Sequence, residues 1–278
     1  MKINSKKSLG QNWLINPHII DKIVTAAEIS KDDIILEVGP GTGNLTKKLA
    51  EKAGRVIAIE KDHRLIETLK ETLKNYPNVE IVEEDVLKFN PTDYPSLING
   101  YKIVANIPYY ITSYLLSKIF EEWFRLPVED PRFARGESEP QPKLIVLTIQ
   151  KEVAQRIMAK PPHMNLLALS IQYYSEPEII GYISKNNFRP VPKIDSAIIK
   201  LVPRDQWLVA SEQEKLFNLM RLGFSEKRKQ LAGVLSKKLK LKKEDILEAF
   251  GKTSLKSDIR PENLTLEQWI ELEKHLST

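Results

Sequence analysis

The apolar run Ile34-Ile35-Leu36-Glu37-Val38 passes directly into Gly39-Pro40-Gly41-Thr42-Gly43 and then into the helical pattern Asn44-Leu45-Thr46-Lys47-Lys48-Leu49-Ala50. A strand with so little polar alternation needs cover on both faces. A strand that feeds a helix through a glycine turn obtains that cover in a parallel sheet sandwiched by helices. The pattern repeats downstream. Short β-rich runs at Ile34 to Val38, Val56 to Glu60, Val79 to Val82, Ile103 to Ala105, Leu144 to Ile149, Ile179 to Ile183 and Ala197 to Val202 mostly alternate with helical segments. The expectation is an α/β fold with a doubly wound, Rossmann-like sheet. A helix from Pro17 to Ile29, capped by Asn16, carries Ile19, Ile20, Ile23, Val24 and Ala27 on one face and is expected to pack across the ligand edge of that sheet.

After Pro203 the strand signals stop and four helical patterns follow: Glu212 to Leu222, Lys227 to Leu239, Glu244 to Phe250 and Leu266 to His275. The organisation expected is therefore a sheet domain over residues 1–203 and a small helical domain over 204–278. The segment from Pro127 to Pro142, rich in proline and charge and poor in apolar side chains, reads as a surface loop with no assigned role.

The net charge is +5, and basic residues gather at Lys2, Lys6 and Lys7 and again between Arg221 and Lys243. Such clustering suits a polyanionic partner and equally suits solvated helix faces. Cysteine is absent, which excludes disulfides, thiolate zinc sites and cysteine nucleophiles. No metal is expected. No run is long and apolar enough to span a membrane, and no apolar signal core follows Met1, so a cytoplasmic protein is expected.

The glycine turn reads as a nucleoside-binding loop. Glycines permit a tight backbone and a close ligand approach, and the helix beyond presents unpaired N–H groups. A dinucleotide loop spaced GxGxxG would place its third glycine at position 44, where Asn44 stands, which argues against a pyrophosphate. Glu60 ends the next strand about 20 residues on, where a carboxylate commonly accepts from ribose hydroxyls. Asp85, after the third strand, is placed to accept from an adenine amine. Each acid alone also suits a surface loop. Together with Gly39 and Gly41 they point to S-adenosylmethionine.

A second motif, Asn106-Ile107-Pro108-Tyr109-Tyr110, follows the run Tyr101-Lys102-Ile103-Val104-Ala105. Alone it is compatible with an ordinary strand-to-helix turn. It also suits methylation of an amino nitrogen on a base. Such a nitrogen is a poor nucleophile, because its lone pair is delocalised into the ring, and two acceptors on its N–H bonds would hold it towards tetrahedral geometry. The Asn106 side-chain oxygen and the backbone carbonyl at Pro108 supply acceptors, and the Tyr109 ring offers a stacking face for a flipped base.

These motifs, with Lys7-Ser8-Leu9-Gly10-Gln11-Asn12-Trp13-Leu14, Gln150-Lys151-Glu152-Val153-Ala154 and Phe188-Arg189-Pro190-Val191-Pro192-Lys193-Ile194-Asp195-Ser196, occur in an order that resembles the ribosomal RNA adenine N6,N6-dimethyltransferases of the kasugamycin-resistance type. The tail is similar too, at Phe224-Ser225-Glu226-Lys227-Arg228-Lys229 and Ile259-Arg260-Pro261-Glu262. The resemblance implies a Rossmann-like S-adenosylmethionine-dependent methyltransferase sheet with a helical RNA- or ribosome-binding domain. It implies dimethylation of adjacent adenosines near the 3′ end of small-subunit rRNA, with the immature small subunit as partner and a role in its biogenesis; independently of the resemblance, a monomer is the default expectation. By position, Asn12, Leu14, Gly39, Glu60, Asp85 and Asn106 would contact the cofactor, Asn106 and Tyr109 the target adenine, and Phe188 would stack on that base from the other side.

Two departures bear on local contacts. Trp13 stands where the family usually has phenylalanine, and Pro161-Pro162-His163-Met164-Asn165-Leu166 lacks the family's tyrosine-glycine turn. The macrolide-resistance methyltransferases share the Asn-Ile-Pro-Tyr motif but modify large-subunit rRNA; Asp195, where that group usually has asparagine, favours the small subunit. A noncatalytic ribosome-assembly factor on the same fold is the alternative from another class, and the intact glycine turn with Glu60, Asp85 and Asn106 argues for catalysis. DNA adenine methylation is disfavoured because no target-recognition insert is evident.

Overall fold

The computed structural model describes residues 10–123, 140–204 and 210–276. The Pro-rich stretch after Pro127 and the basic residues at the amino end lie almost wholly outside them. The chain divides into two compact units, one of residues up to 154 with 177–203, the other of residues 155–176 with 204 onward. The division read from sequence at residue 203 differs in one respect: residues 155–176 group with the helices. They carry α6 (Leu166–Tyr174), an apolar helix whose pattern gave no sign of which unit it would join.

The first unit is built on a seven-stranded sheet. Its strands are β2 (Ile34–Val38), β3 (Arg55–Glu60), β4 (Val79–Glu83), β5 (Tyr101–Asn106), β6 (Pro142–Gln150), β7 (Ser175–Ile183) and β9 (Ser196–Pro203), in the spatial order β4-β3-β2-β5-β6-β9-β7. Strands β4 through β6 run parallel, and β9 adds to β6 antiparallel, with Thr148 opposite Ile198. Each strand expected from sequence is present; β2 has the expected ends, and no end of the others is shifted by more than four residues.

Burial follows the pleat. Ile35, Val56, Val104, Val146 and Ile198 form one apolar cluster with Ile20, Ile23 and Val24 of α1 (Pro17–Ala26) and Leu45 and Leu49 of α2 (Asn44–Lys52). The alternate residues Leu36, Ile57, Ile103, Leu147 and Ile199 are equally buried, so both faces are covered. Helix α1 thus packs beside α2 on a sheet face rather than across its ligand edge. It also ends at Ala26, because Glu28 adopts a left-handed φ of 48° that no helix continues through.

A second, two-stranded sheet was not expected. β1 (Trp13–Leu14) pairs antiparallel with β8 (Phe188–Arg189), placing Leu14 opposite Phe188. Two-residue strands leave no periodicity to read.

The helical unit contains α7 (Ala210–Phe224), α8 (Leu231–Leu239), α9 (Lys243–Lys252) and α10 (Leu266–Leu276). Its core centres on fully buried Trp269 and Phe250, and Phe217 stacks against Tyr174 with ring centroids 5.8 Å apart. Helix α8 begins at Leu231 rather than Lys227, since Ser225 to Arg228 form a turn and Gln230 is extended. Among the described residues no helix is long and apolar enough to cross a membrane, and no group of three His, Asp or Glu could hold a metal ion.

Candidate active site

Strand order reverses around β2, with β3 to one side and β5 to the other, and a crevice opens at such a switch point beyond the carboxyl ends of the strands. Here it is a cleft with about 740 Å³ of empty space, part of it open to solvent. Its floor is Val38, Gly39 and Gly41 after β2; Glu60, Lys61 and Asp62 after β3 and Glu84, Asp85 and Val86 after β4 form one wall. Asn106 to Ile111 after β5 form the other, and Gly10 to Trp13 border it.

The floor is shaped by backbone that only glycine adopts without strain. Gly39, Gly41 and Gly43 have φ of 69°, 60° and 81°, and Gly43 caps the start of α2. At Gly41 the space is also taken: a Cβ there would lie 2.7 Å from Cδ1 of Trp13. The Trp13 indole therefore lies directly against the turn.

Glu60 is 6% exposed, and its two oxygens accept from Asp62 N at 2.8 Å and Gly41 N at 3.2 Å. Burial raises its pKa, and those backbone hydrogen bonds oppose the rise without cancelling it. Asp85 accepts from Leu87 N at 3.1 Å and from the Lys61 ammonium at 2.6 Å. Burial works against its charge, but these hydrogen bonds outweigh it and hold the carboxyl below its ordinary value.

Asp62 receives Gln11 Nε2 at 2.8 Å, two side-chain nitrogens of Arg64 at 2.9 and 2.6 Å, and the Arg64 backbone N at 3.3 Å. The Arg64 bonds are the main reason its pKa falls to about 2. Behind the turn, Glu37 is fully buried in β2. Loss of solvent is the main force that pushes it up to about 8, with the charge of Glu60 adding to the rise and the Thr46 hydroxyl opposing it.

On the opposite wall, Asn106 Nδ2 donates to the Asn12 carbonyl at 3.0 Å, which leaves Oδ1 without a partner among the described residues. The Pro108 carbonyl accepts Ile111 N at 3.1 Å, closing a short turn, and retains a second lone pair. Tyr109 is partly buried, with its hydroxyl 2.6 Å from Ser196 Oγ. Tyr110 is 47% exposed at the rim.

Of the residues singled out from sequence, the cleft brings together Asn12, Gly39, Gly41, Glu60, Asp85, Asn106, Pro108 and Tyr109. It does not include Leu14 or Phe188. Leu14 is 5% exposed, and its carbonyl accepts Asn44 Nδ2 at 3.3 Å. Phe188 is 0% exposed and belongs to the core beneath α1. The β1–β8 pairing turns both side chains inward, so neither lines the cleft. Sequence reasoning missed Gln11, Lys61, Asp62 and Tyr110. Their only signal is adjacency: Lys61 and Asp62 directly follow Glu60, Gln11 precedes Asn12 and Tyr110 follows Tyr109.

Residues 2–278 match the family described as ribosomal RNA adenine dimethylase. The chain belongs to the ribosomal RNA adenine dimethylase family. Within that family it is 41% identical over 281 residues to the ribosomal RNA small subunit methyltransferase A of Alkaliphilus oremlandii, an alignment covering 98% of this chain and 91% of the relative. It is 35% identical to the protein of the same name from Dehalococcoides mccartyi, covering 96% and 87%. Among solved structures, the 23S rRNA methyltransferase ErmE superposes with a TM-score of 0.76 at 27% identity, covering 96% of this chain and all of that one. A dimethyladenosine transferase from Plasmodium falciparum gives 0.75 at 29%, covering 93% and 95%. The Rossmann-like methyltransferase fold of this adenine dimethylase is thereby shown.

Proposed function

We propose that this adenine dimethylase uses S-adenosylmethionine to place two methyl groups on N6 of adenosines near the 3′ end of small-subunit rRNA, acting on the immature particle in the cytoplasm. One observation carries the chemistry: Asn106 lines the cleft with its amide nitrogen already committed to Asn12 and its oxygen still free. The cleft suits the cofactor. Its floor is a glycine cradle in which Gly41 has no space for a Cβ, and its wall holds carboxylates at successive strand ends. Glu60 would accept from the ribose, Asp85 from the adenine amine, and Gly39 and Gly41 would let the ligand approach the backbone, with Asn12 bordering the cleft. When bound, the cofactor supplies an electrophilic methyl group on a sulfonium.

The chain's own contribution is orientation. Asn106 Oδ1 accepts one N–H of the target amine, the free lone pair of the Pro108 carbonyl accepts the other, and the Tyr109 ring supports the base. No charged general base is needed, because bond formation makes the nitrogen acidic and its proton then leaves to water. The relatives named for the small subunit, together with Asp195 in the Lys193-Ile194-Asp195-Ser196 turn, favour the small subunit over the large. The helical unit, with Arg228, Lys229 and Lys237 around one surface hollow, would contact the RNA.

The test incubates the protein and labelled cofactor with separately purified, unmethylated small and large subunits and identifies the product by mass spectrometry. N6,N6-dimethyladenosine in small subunits alone is expected. Label in large subunits would favour the macrolide-resistance reading, and cofactor binding with no transfer would favour a noncatalytic assembly factor.

A further inference from the structure

The cleft is strongly acidic. Glu60, Asp62, Glu84 and Asp85 line it, and among the described lining residues Lys61 is the one cation. A lysine is out of place opposite a positively charged sulfonium ligand unless its charge is committed elsewhere. Here it is committed: Nζ lies 2.6 Å from Asp85 Oδ2, while Asp85 Oδ1 is fixed by the N–H of Leu87 at 3.1 Å. The pairing is built into the sheet. Glu60 and Glu83 are register partners on β3 and β4, and Glu84 N donates to the Glu60 carbonyl at 3.0 Å, so the residues just beyond the two strand ends are held side by side. The Asp85 side chain is 20% exposed and that of Lys61 54%, so the carboxylate is recessed and the lysine covers it from the solvent side.

We propose that Lys61 is a positioning residue that sets the nucleobase specificity of the cleft, by holding the Asp85 carboxylate oriented and ionised as an acceptor for the exocyclic amine of an adenine ligand. The proposal rests on the cofactor reading above. An ionised carboxylate is an acceptor only, so it selects a donor at the purine 6-position. With Oδ1 and Oδ2 each held by one donor, the carboxylate cannot rotate, and each oxygen keeps a lone pair for the ligand. Lys61 acts through Asp85 and therefore matters only to ligands that carry the amine. The methylene stem of Lys61 contributes to the wall whether or not the charge is present.

That separation gives the test. S-adenosylhomocysteine and its analogue lacking the 6-amino group are titrated calorimetrically into wild type, Lys61→Met and Lys61→Arg. Methionine keeps a similar stem without the charge, and arginine keeps the charge. Lys61→Met is expected to bind S-adenosylhomocysteine about fivefold more weakly and the deaminated analogue within about twofold of wild type, as for two groups coupled through a shared partner. Lys61→Arg is expected to retain most of the preference. Equal losses on both ligands would overturn the proposal in favour of a purely structural lysine, and no loss on either would overturn it outright. Wild type that bound neither ligand would overturn the cofactor reading, and this proposal with it.

Discussion

Asn106 and Asn12 are 94 residues apart in sequence and joined by a hydrogen bond of 3.0 Å from the Asn106 amide nitrogen to the Asn12 carbonyl. The bond settles which way the amide faces, because the nitrogen must point at the carbonyl. It also ties the segment that borders the cleft to the wall that bears the proposed chemistry.

Replacing Asn106 with alanine removes both contacts. Methyl transfer should fall by at least about 100-fold in kcat, since an acceptor that orients the amine is lost, while cofactor binding stays measurable. Asn106→Asp should be worse for binding than alanine, because a carboxylate oxygen would then face the Asn12 carbonyl with no donor between them. Single-turnover kinetics beside calorimetry separates the two effects; full activity in Asn106→Ala would contradict the assigned role.

Gly41→Ala combines a left-handed φ with a Cβ placed 2.7 Å from the Trp13 ring. The expected cost is about 1–2 kcal/mol of stability. Cofactor affinity should weaken more than stability does, because the indole must leave the cleft border. Chemical denaturation and ligand titration on the same variant check the order of the two effects.

Glu37 gives a pH dependence of opposite sign to that of an ordinary paired acid. Its folded pKa, about 8, lies above the usual carboxyl value of 4.5, so between these values the folded state holds a proton that the unfolded state has lost. Stability from this site is fully present below about pH 4.5 and declines as pH rises through 8. The neutral isostere Glu37→Gln should therefore gain melting temperature over wild type at pH 8 and lose that advantage at pH 5. Parallel melting curves for the two proteins across that range would refute the shift.

Asp62 behaves in the ordinary way. Its pKa falls from 3.8 to about 2, chiefly through hydrogen bonds from Arg64, so its contribution is present above pH 3.8 and lost as pH falls through 2. Because Asp62 also holds Gln11, Asp62→Ala at neutral pH should speed amide hydrogen exchange in residues 10–14 while leaving the sheet protected. Unchanged exchange in that segment would show that it is secured without Asp62, by the Asn106 bond and the β1–β8 pairing.

The basic residues of the helical unit should make RNA binding salt-dependent. Replacing Arg228 and Lys237 together with alanine should lower the slope of log affinity against log salt by about 2 if each neutralises one phosphate. An unchanged slope would relegate both to solvated surface.

Much of the fold and part of the site can be read locally. The run from Ile34 through Ala50 becomes β2, the turn and α2 because neighbouring residues supply both the strand burial and the positive-φ glycines. Asn106, Pro108 and Tyr109 reach the cleft because they directly follow a parallel strand, whose carboxyl end is where ligands bind in such sheets. Lys61 and Asp62 do not stand out in the sequence next to Glu60, because a charged residue after a strand is ordinary until its partner is known.

The strands, the glycine cradle and the acids at the strand ends are legible along the chain, since each depends on near neighbours, and the family is legible in the order of its motifs. Which donors close on them is set by the packing of distant elements. The contacts of Gln11 with Asp62, Asn12 with Asn106 and Tyr109 with Ser196 span 51, 94 and 87 residues. Two-residue strands likewise turned Leu14 and Phe188 into the core. Periodicity reports which face of an element is apolar, but a long-range hydrogen bond is specified by how elements are stacked, and no local pattern encodes that.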